Sequence, residues 1–240
     1  MDLFVHDGLL WKHRAQIKNL IPTRILNSIL LGFPKIYQHK LINFETNMCP
    51  TTFEKFLFEL NSTLGVAGNI VECGTARGGS CAIMANYLKK IKSNKLIYAF
   101  DSFSGFHPDE ARQEENQLTR RPLVFAFKKT GLGYFQKKME VLGHKDRVFP
   151  IKGYFQDTLN IYLPESICFA FVDCDLSNSL DYCLEQIWPK LSVGGKILID
   201  DYLSPFYPGV KKIVDNFILN KRSTLTSKII HSFNCLEKLA

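Results

Sequence analysis

An α/β fold with a doubly wound, mostly parallel sheet is the class this sequence predicts, and three observations predict it. From Asn69 onward, short apolar runs of strand length alternate with longer segments of helical period. The first run passes straight into a glycine-rich turn, "ECGTARGGS", and then into a helix. Two later runs, "FVDCD" and "KILIDDY", finish in paired carboxylates, which an apolar strand does not carry unless its end reaches something that holds them. The alternation implies βαβ units, with helices covering both faces of the sheet.

The elements follow in order. Residues 1–64 read as an N-terminal helical arm or lid and residues 65–240 as the main domain. Helical segments before Pro50 are broken at Pro22 and Pro34, and "TTFEKFLFELN" is an amphipathic helix with a Thr cap. "NIVECG" is the first strand, "GGSCAIMANYLKKIK" its helix and "KLIYAFD" the second strand. A charged, polar segment from His107 to Arg121 precedes a helix through "YFQKKMEVLG". "RVFPIKGYF" and "ICFAFVDCD" give the third and fourth strands. "LDYCLEQIWPKL" is a helix, "GGKILIDDY" the fifth strand and "GVKKIVDNFIL" the last helix. "SKIIHSF" and "CLEKL" form a closing antiparallel pair, which makes seven strands.

Composition narrows the classes. With 46% hydrophobic and 22% charged residues among 240, the chain can bury a core. The net charge of +7 is spread along the sequence, with no run of five basic residues and no signature of nucleic-acid binding. Seven cysteines without a CxxC spacing fit reduced thiols in a cytoplasmic protein and argue against zinc. No run approaches the ~20 apolar residues of a membrane span. "WKHRAQIKNLIPTRILNSILLGF" mixes basic residues with an apolar face, so it reads as an arm packed on the domain. The sharper alternatives are peripheral contact with anionic lipid and a homodimer contact. His107 and His144 read as surface loop residues, and Arg120 with Arg121 as a solvated turn.

Ligands of such a sheet bind beyond the carboxyl ends of its strands. There Gly74, Gly78 and Gly79 allow close backbone approach, and the helix start offers free N–H groups. Asp101 is placed to accept ribose hydroxyls, and Asp157 to meet an adenine amine or cap a helix. The pattern is neither GxGxxG nor a P-loop, which disfavours NAD and ATP. An acid before the first glycine, Glu72, suits the cationic S-adenosylmethionine. Asp173 and Asp175 share one side of an extended strand, and Asp200 with Asp201 ends the next. Four converging carboxylates repel one another unless a cation lies between them, and oxygen-only ligands favour Mg²⁺. A remaining carboxylate can then serve as general base.

The segments "VECGTARGGS", "FDSFSGF", "IKGYFQDTL", "VDCDLSNS", "LSVGGKILIDDY" and "PGVKKIVDNF" resemble, in order, those of the macrocin O-methyltransferase (TylF-like) family from Asn69 to Phe217. The resemblance implies a Rossmann-like class I methyltransferase that uses S-adenosylmethionine and Mg²⁺ to methylate a hydroxyl of a sugar or glycosylated small molecule. It implies Asp173, Asp200 and Asp201 as metal ligands and Asp175 as the general base. Glu72, Gly74, Thr75, Gly78, Ser80, Asp101, Ser102 and Asp157 become the cofactor residues. Cys174, Ser177 and Leu180 depart from the family's Gly, Tyr and Thr; Thr75 and Ala76 stand where a Trp is frequent, and Asn160 replaces a Pro. The arm and the segment from His107 to Tyr134 are expected to form the acceptor lid. A phenolic or catechol acceptor is the rival enzymatic reading, and a non-catalytic cofactor-binding scaffold the rival of another class.

Overall fold

The computed structural model describes residues 50–118, 123, 126–128 and 131–240. Its first half runs α1 (Pro50–Ser62), β1 (Asn69–Cys73), α2 (Gly79–Lys90), β2 (Ile97–Asp101), α3 (Pro108–Leu118), α4 (Leu132–Val141) and β3 (Val148–Lys152). Its second half runs α5 (Phe155–Tyr162), β4 (Ile167–Val172), α6 (Ser177–Lys190), β5 (Leu191–Ile199), α7 (Pro208–Lys221), β6 (Leu225–Ile230) and β7 (Phe233–Lys238). All seven strands join one sheet in the order β3-β2-β1-β4-β5-β7-β6. Every pairing is parallel except those of β7, which is antiparallel to both β5 and β6. The seven-stranded, mostly parallel sheet and its closing antiparallel pair are those the sequence predicts.

Strand alternation divides the core into two layers. Ile70 faces one side of the sheet, where α1, α2 and α4 pack through Phe56, Leu60, Met84, Leu88, Phe135 and Met139. Val71 and Cys73 face the other, against Leu159, Leu184, Trp188, Val214 and Phe217 of α5, α6 and α7. The Phe56 ring is fully buried and meets Phe171 edge to face at 5.0 Å and Phe169 at 5.8 Å. Truncating such a ring to Ala costs about 3–5 kcal/mol. The last part of the segment read as an arm therefore packs within the core of the main domain. Residues 1–49 lie outside the described residues, and the expectations of lipid and homodimer contact go with them, as do Arg120 and Arg121.

Three local readings change. The charged segment after His107 is a helix, α3, with Pro108 at its start and Asp109 and Glu110 in its first turn, where acids favour the helix dipole. It lacks an apolar stripe and is held mostly by polar contacts described below. The third strand ends at Lys152 rather than running through Phe155, because "FQDTLNIY" buries Thr158 and Leu159 on one helical face and forms α5. His144 is not a surface residue: it is 1% exposed, with Nε2 2.9 Å from Asn86 Oδ1. Burial, with the Lys89 and Arg147 charges nearby, lowers its pKa to about 4.

Candidate active site

The strand order places β1 and β4 side by side, with β2 and β3 continuing to one side and β5 to the other. The loops leaving such neighbours diverge and open a crevice at the carboxyl ends. A cavity of about 480 Å³ lies there. The pairing persists just past the strands: the Asp173 N–H donates to the Cys73 carbonyl at 2.9 Å, and the Asp200 N–H to the Val172 carbonyl at 3.0 Å. Both acid pairs are thereby brought to one end of the sheet. The loops then bend sharply. Ala76, Phe103, Asp175 and Asp201, which follow β1, β2, β4 and β5, have φ of 45°, 51°, 61° and 55°. Non-glycine residues held in that left-handed region concentrate at functional sites.

Carboxylate oxygens of Asp173, Asp175 and Asp201 lie within 4.8 Å of one another. Asp200 adjoins them in the cavity wall, its Oδ1 accepting the Asp201 N–H at 2.9 Å. Burial, then the negative charges of Asp200, Asp175 and Asp201, raises the pKa of Asp173 well above the carboxylate range. Burial and a hydrogen bond to Asp201 do the same for Asp175. Burial and the Asp201 charge lift Asp200 to about 6. These acids cannot all ionise together without a cation, and their all-oxygen donor set fits a hard divalent ion.

The glycine-rich turn forms the adjoining part of the wall. Gly74 has φ +86°, and a Cβ there would stand 1.9 Å from the Asp173 carbonyl oxygen, so only glycine lets the first and fourth strands meet this closely. Gly78, at φ +75°, caps α2 against the Phe135 ring and does not itself line the cavity. Asp101 ties two loops together: Oδ2 accepts the Ala76 N–H at 2.8 Å and Oδ1 the Phe103 N–H at 2.6 Å. Burial raises its pKa against those hydrogen bonds. A carboxylate has about four lone-pair sites, so acceptor capacity remains for a ligand.

Gly74, Thr75, Ser80, Asp101, Ser102 and the four aspartates all line the cavity. Glu72 does not. It is fully buried behind Ser80, whose hydroxyl donates to its Oε1, while Cys81 Sγ lies 2.7 Å from Oε2. Burial lifts Glu72 to about 7. Asp157 is exposed in the first turn of α5, and its neighbour Gln156 lines the cavity instead. Sequence reading missed His107, Tyr154 and Tyr207 in the cavity wall, since an aromatic or His in a loop carries no periodic signal. Thr75 Oγ1 and His107 Nδ1 are buried there without a hydrogen-bond partner among the described residues, although the His107 ring meets Tyr154 at 4.7 Å. Buried polar atoms of this kind suit a polar ligand.

The sheet order, the glycine-rich turn after β1 and the acid ending β2 define the fold of class I methyltransferases. Solved structures agree: the O-methyltransferase NovP superposes with a TM-score of 0.71 at 24% identity, covering 82% of this chain and 84% of its own. A calicheamicin methyltransferase also gives a TM-score of 0.71, at 22% identity, covering 99% and 96%. The chain belongs to the macrocin-O-methyltransferase (TylF) family, whose sequence model matches residues 53–232. Similar proteins include demethyldecarbamoylnovobiocin O-methyltransferase of Streptomyces niveus, 31% identical over 63% of this chain and 58% of that one. Mycinamicin III 3''-O-methyltransferase of Micromonospora griseorubida is 29% identical over 59% of this chain and 58% of its own. The chain thus spans less than two thirds of the length of the curated relatives it matches. Among the described residues, no helix is long and apolar enough to cross a membrane.

Proposed function

We propose that this protein is an S-adenosylmethionine- and Mg²⁺-dependent O-methyltransferase acting on a hydroxyl of a sugar or glycosylated small molecule. The observation that carries the reading is the gathering of Asp173, Asp175 and Asp201 oxygens within 4.8 Å, in the cavity that the glycine-rich turn also lines. The name of a third relative, 31% identical and from Streptomyces olivaceus, specifies a rhamnosyl-tetracenomycin 4'-O-methyltransferase, which supports a sugar hydroxyl as acceptor.

Asp173, Asp200 and Asp201 would hold the divalent cation. Asp101 would take the ribose hydroxyls, with Ser102 beside it, and Thr75, Gly74 and Ser80 would form the methionine end, with Gly78 holding the turn from behind. Glu72 acts from behind by fixing the Ser80 hydroxyl, and Gln156, which lines the cavity where the exposed Asp157 does not, would stand nearer the adenine. When bound, the cofactor supplies an activated sulfonium methyl group and the cation supplies Lewis acidity to the acceptor hydroxyl. Asp175 would accept the proton of the acceptor hydroxyl as that oxygen takes the methyl group, the carbon–sulfur electron pair leaving with the sulfur. The Asp175 carboxylate, in the same 4.8 Å group as the Asp173 and Asp201 oxygens, lies where that proton would be released. The cavity walls contribute chiefly positioning and exclusion of water.

Aromatic residues Phe106, Phe155 and Tyr207 in the wall favour one rival acceptor, a phenolic or catechol ring. Turnover of a catechol with no turnover of any glycoside would select it. The founding test is calorimetric titration of S-adenosylmethionine into metal-free protein, with and without Mg²⁺, repeated on Asp200→Asn. The expected result is cofactor binding in both proteins and Mg²⁺ binding in the wild type alone. Cofactor binding without any Mg²⁺ site would leave a metal-free transferase, and absence of both would remove the activity altogether.

A further inference from the structure

Asp175 occupies a sharp bend of the site. Its φ is 61°, and the Leu176 N–H donates to the Cys174 carbonyl at 2.6 Å across it, closing a three-residue turn. Turns of this kind are rare and strained, and they persist where surrounding structure over-determines them. Asp tolerates the left-handed region better than most residues, yet the strain must still be offset nearby.

Helix α3 makes four contacts with the residues that leave this turn, one of them an exposed hydrogen bond in which Gln113 Oε1 accepts the Asn178 amide at 2.8 Å. Ala111 packs with Leu176, the next residue along. Glu114 is 7% exposed, and its Oε1 accepts the Ser177 N–H at 2.8 Å. Ser177 opens α6, whose own N-cap residue, Leu176, has no side-chain oxygen to offer. Glu110 is 8% exposed; Oε2 accepts the Ser179 hydroxyl at 2.6 Å and Oε1 the Gln156 amide at 2.7 Å. Glu110 and Glu114 are four residues apart and share one helix face. That face joins the first turn of α5, through Gln156, to the first turn of α6. A carboxylate at a helix N-terminus satisfies an otherwise orphaned N–H and complements the helix dipole.

We propose that α3 is a strap that fixes the Asp175 turn, with Glu114 as its positioning residue. The inference rests on the methyltransferase reading, in which Asp175 and its neighbours face a divalent cation. Glu114 acts on that cluster through Ser177. Removing it leaves the cofactor wall, formed by the loops after β1 and β2, in place.

The test compares Mg²⁺ and S-adenosylmethionine affinities, by calorimetry, in Glu114→Ala, Glu114→Gln and Ser177→Pro. Gln keeps an oxygen that accepts the Ser177 N–H. Ser177→Pro deletes the N–H itself at a helix position that tolerates Pro, and Leu176, at φ −88° and ψ 137°, already has the conformation Pro demands before it. Glu114→Ala and Ser177→Pro are expected to lose about tenfold in Mg²⁺ affinity, as partners behind metal ligands typically do. Cofactor affinity should stay within about twofold in both, and Glu114→Gln should bind Mg²⁺ nearly as the wild type does. Amide exchange at Leu176, measured without metal, should accelerate in Glu114→Ala and not in Glu114→Gln. Wild-type Mg²⁺ affinity in both Glu114→Ala and Ser177→Pro would overturn the strap. Equal loss of metal and cofactor affinity in Ser177→Pro would overturn it too, even if Glu114→Ala failed to fold. A wild type that bound neither ligand would instead overturn the methyltransferase reading beneath it.

Discussion

Glu59, on α1, and Asp173, just past β4, are both buried acids attached to one sheet, and their surroundings differ in sign. Glu59 is 2% exposed and meets Lys196 at 2.8 Å and Lys228 at 2.8 Å. Lys196 in turn donates to Ser62 Oγ at 2.8 Å and stands 3.5 Å from Glu237. Burial pushes the Glu59 pKa up, but the two lysines outweigh it and hold the carboxyl below its ordinary range. Asp173 has Asp175, Asp200 and Asp201 as neighbours, and no Lys or Arg lines that cavity among the described residues. The first cluster closes its own charge and fastens α1 to β5 and β6. The second leaves charge open, a cost in the metal-free protein that makes sense where an external cation is to be held.

The largest effect that would sharpen this contrast is catalytic. Asp175→Asn keeps the shape of the side chain and removes the proton acceptor, so turnover is expected to fall about 10³-fold. Mg²⁺ affinity measured on the same variant separates two roles, because the Asp175 oxygen lies in the same 4.8 Å group as those of Asp173 and Asp201. Retained Mg²⁺ binding with lost turnover marks a base. Lost binding would make Asp175 a metal ligand, and unchanged turnover would remove it from the chemistry.

Next in size is the closed cluster. Glu59→Gln leaves Lys196, 7% exposed, without its main partner, and a buried pair broken from one side costs about 3 kcal/mol. Chemical denaturation should show that loss with no change in Mg²⁺ or cofactor affinity. A loss below about 1 kcal/mol would place the pair in the class of surface ion pairs and blunt the comparison.

The two clusters also differ in how far the sequence discloses them. The acid pairs are legible because each ends an apolar run, and parallel neighbours with Val172 opposite Ile199 must deliver them to one end. The glycine-rich turn is legible because its spacing is local. Glu59 and Lys196 are 137 residues apart, each looks like an ordinary surface residue, and no pattern links them. Glu110 and Glu114 were hidden for a related reason: in "PDEARQEENQL" a helix held by polar contacts has the composition of a solvated loop. His144 was misread because a turn between elements can still be covered by its neighbours. Local periodicity thus discloses the sheet and its acid-bearing end, while long-range polar pairing stays unreadable until the chain is folded.

The smallest effect probes the sign of the charge directly. Asp200 has a folded pKa of about 6, above its ordinary value near 3.8, so the folded state holds its proton more tightly than the unfolded state does. Its contribution is therefore fully present below the unfolded pKa and is lost as pH rises through about 6. Glu59, with its pKa lowered, behaves the opposite way: its contribution is present above the unfolded value and is lost as pH falls through the folded one. In metal-free protein at neutral pH, Asp200→Asn removes one repelling charge and should add on the order of 1 kcal/mol of stability. The same substitution should abolish the rise in melting temperature that Mg²⁺ gives the wild type, a rise expected to grow from pH 5 to pH 8 as the acids ionise. Melting curves at both pH values, with and without Mg²⁺, decide the point. An Asp200→Asn protein that melts lower than the metal-free wild type at pH 8 would mean that the carboxylate's bonds to the Asp201 N–H and Ser232 outweigh the repulsion, and that the open cluster is less strained than its crowding implies.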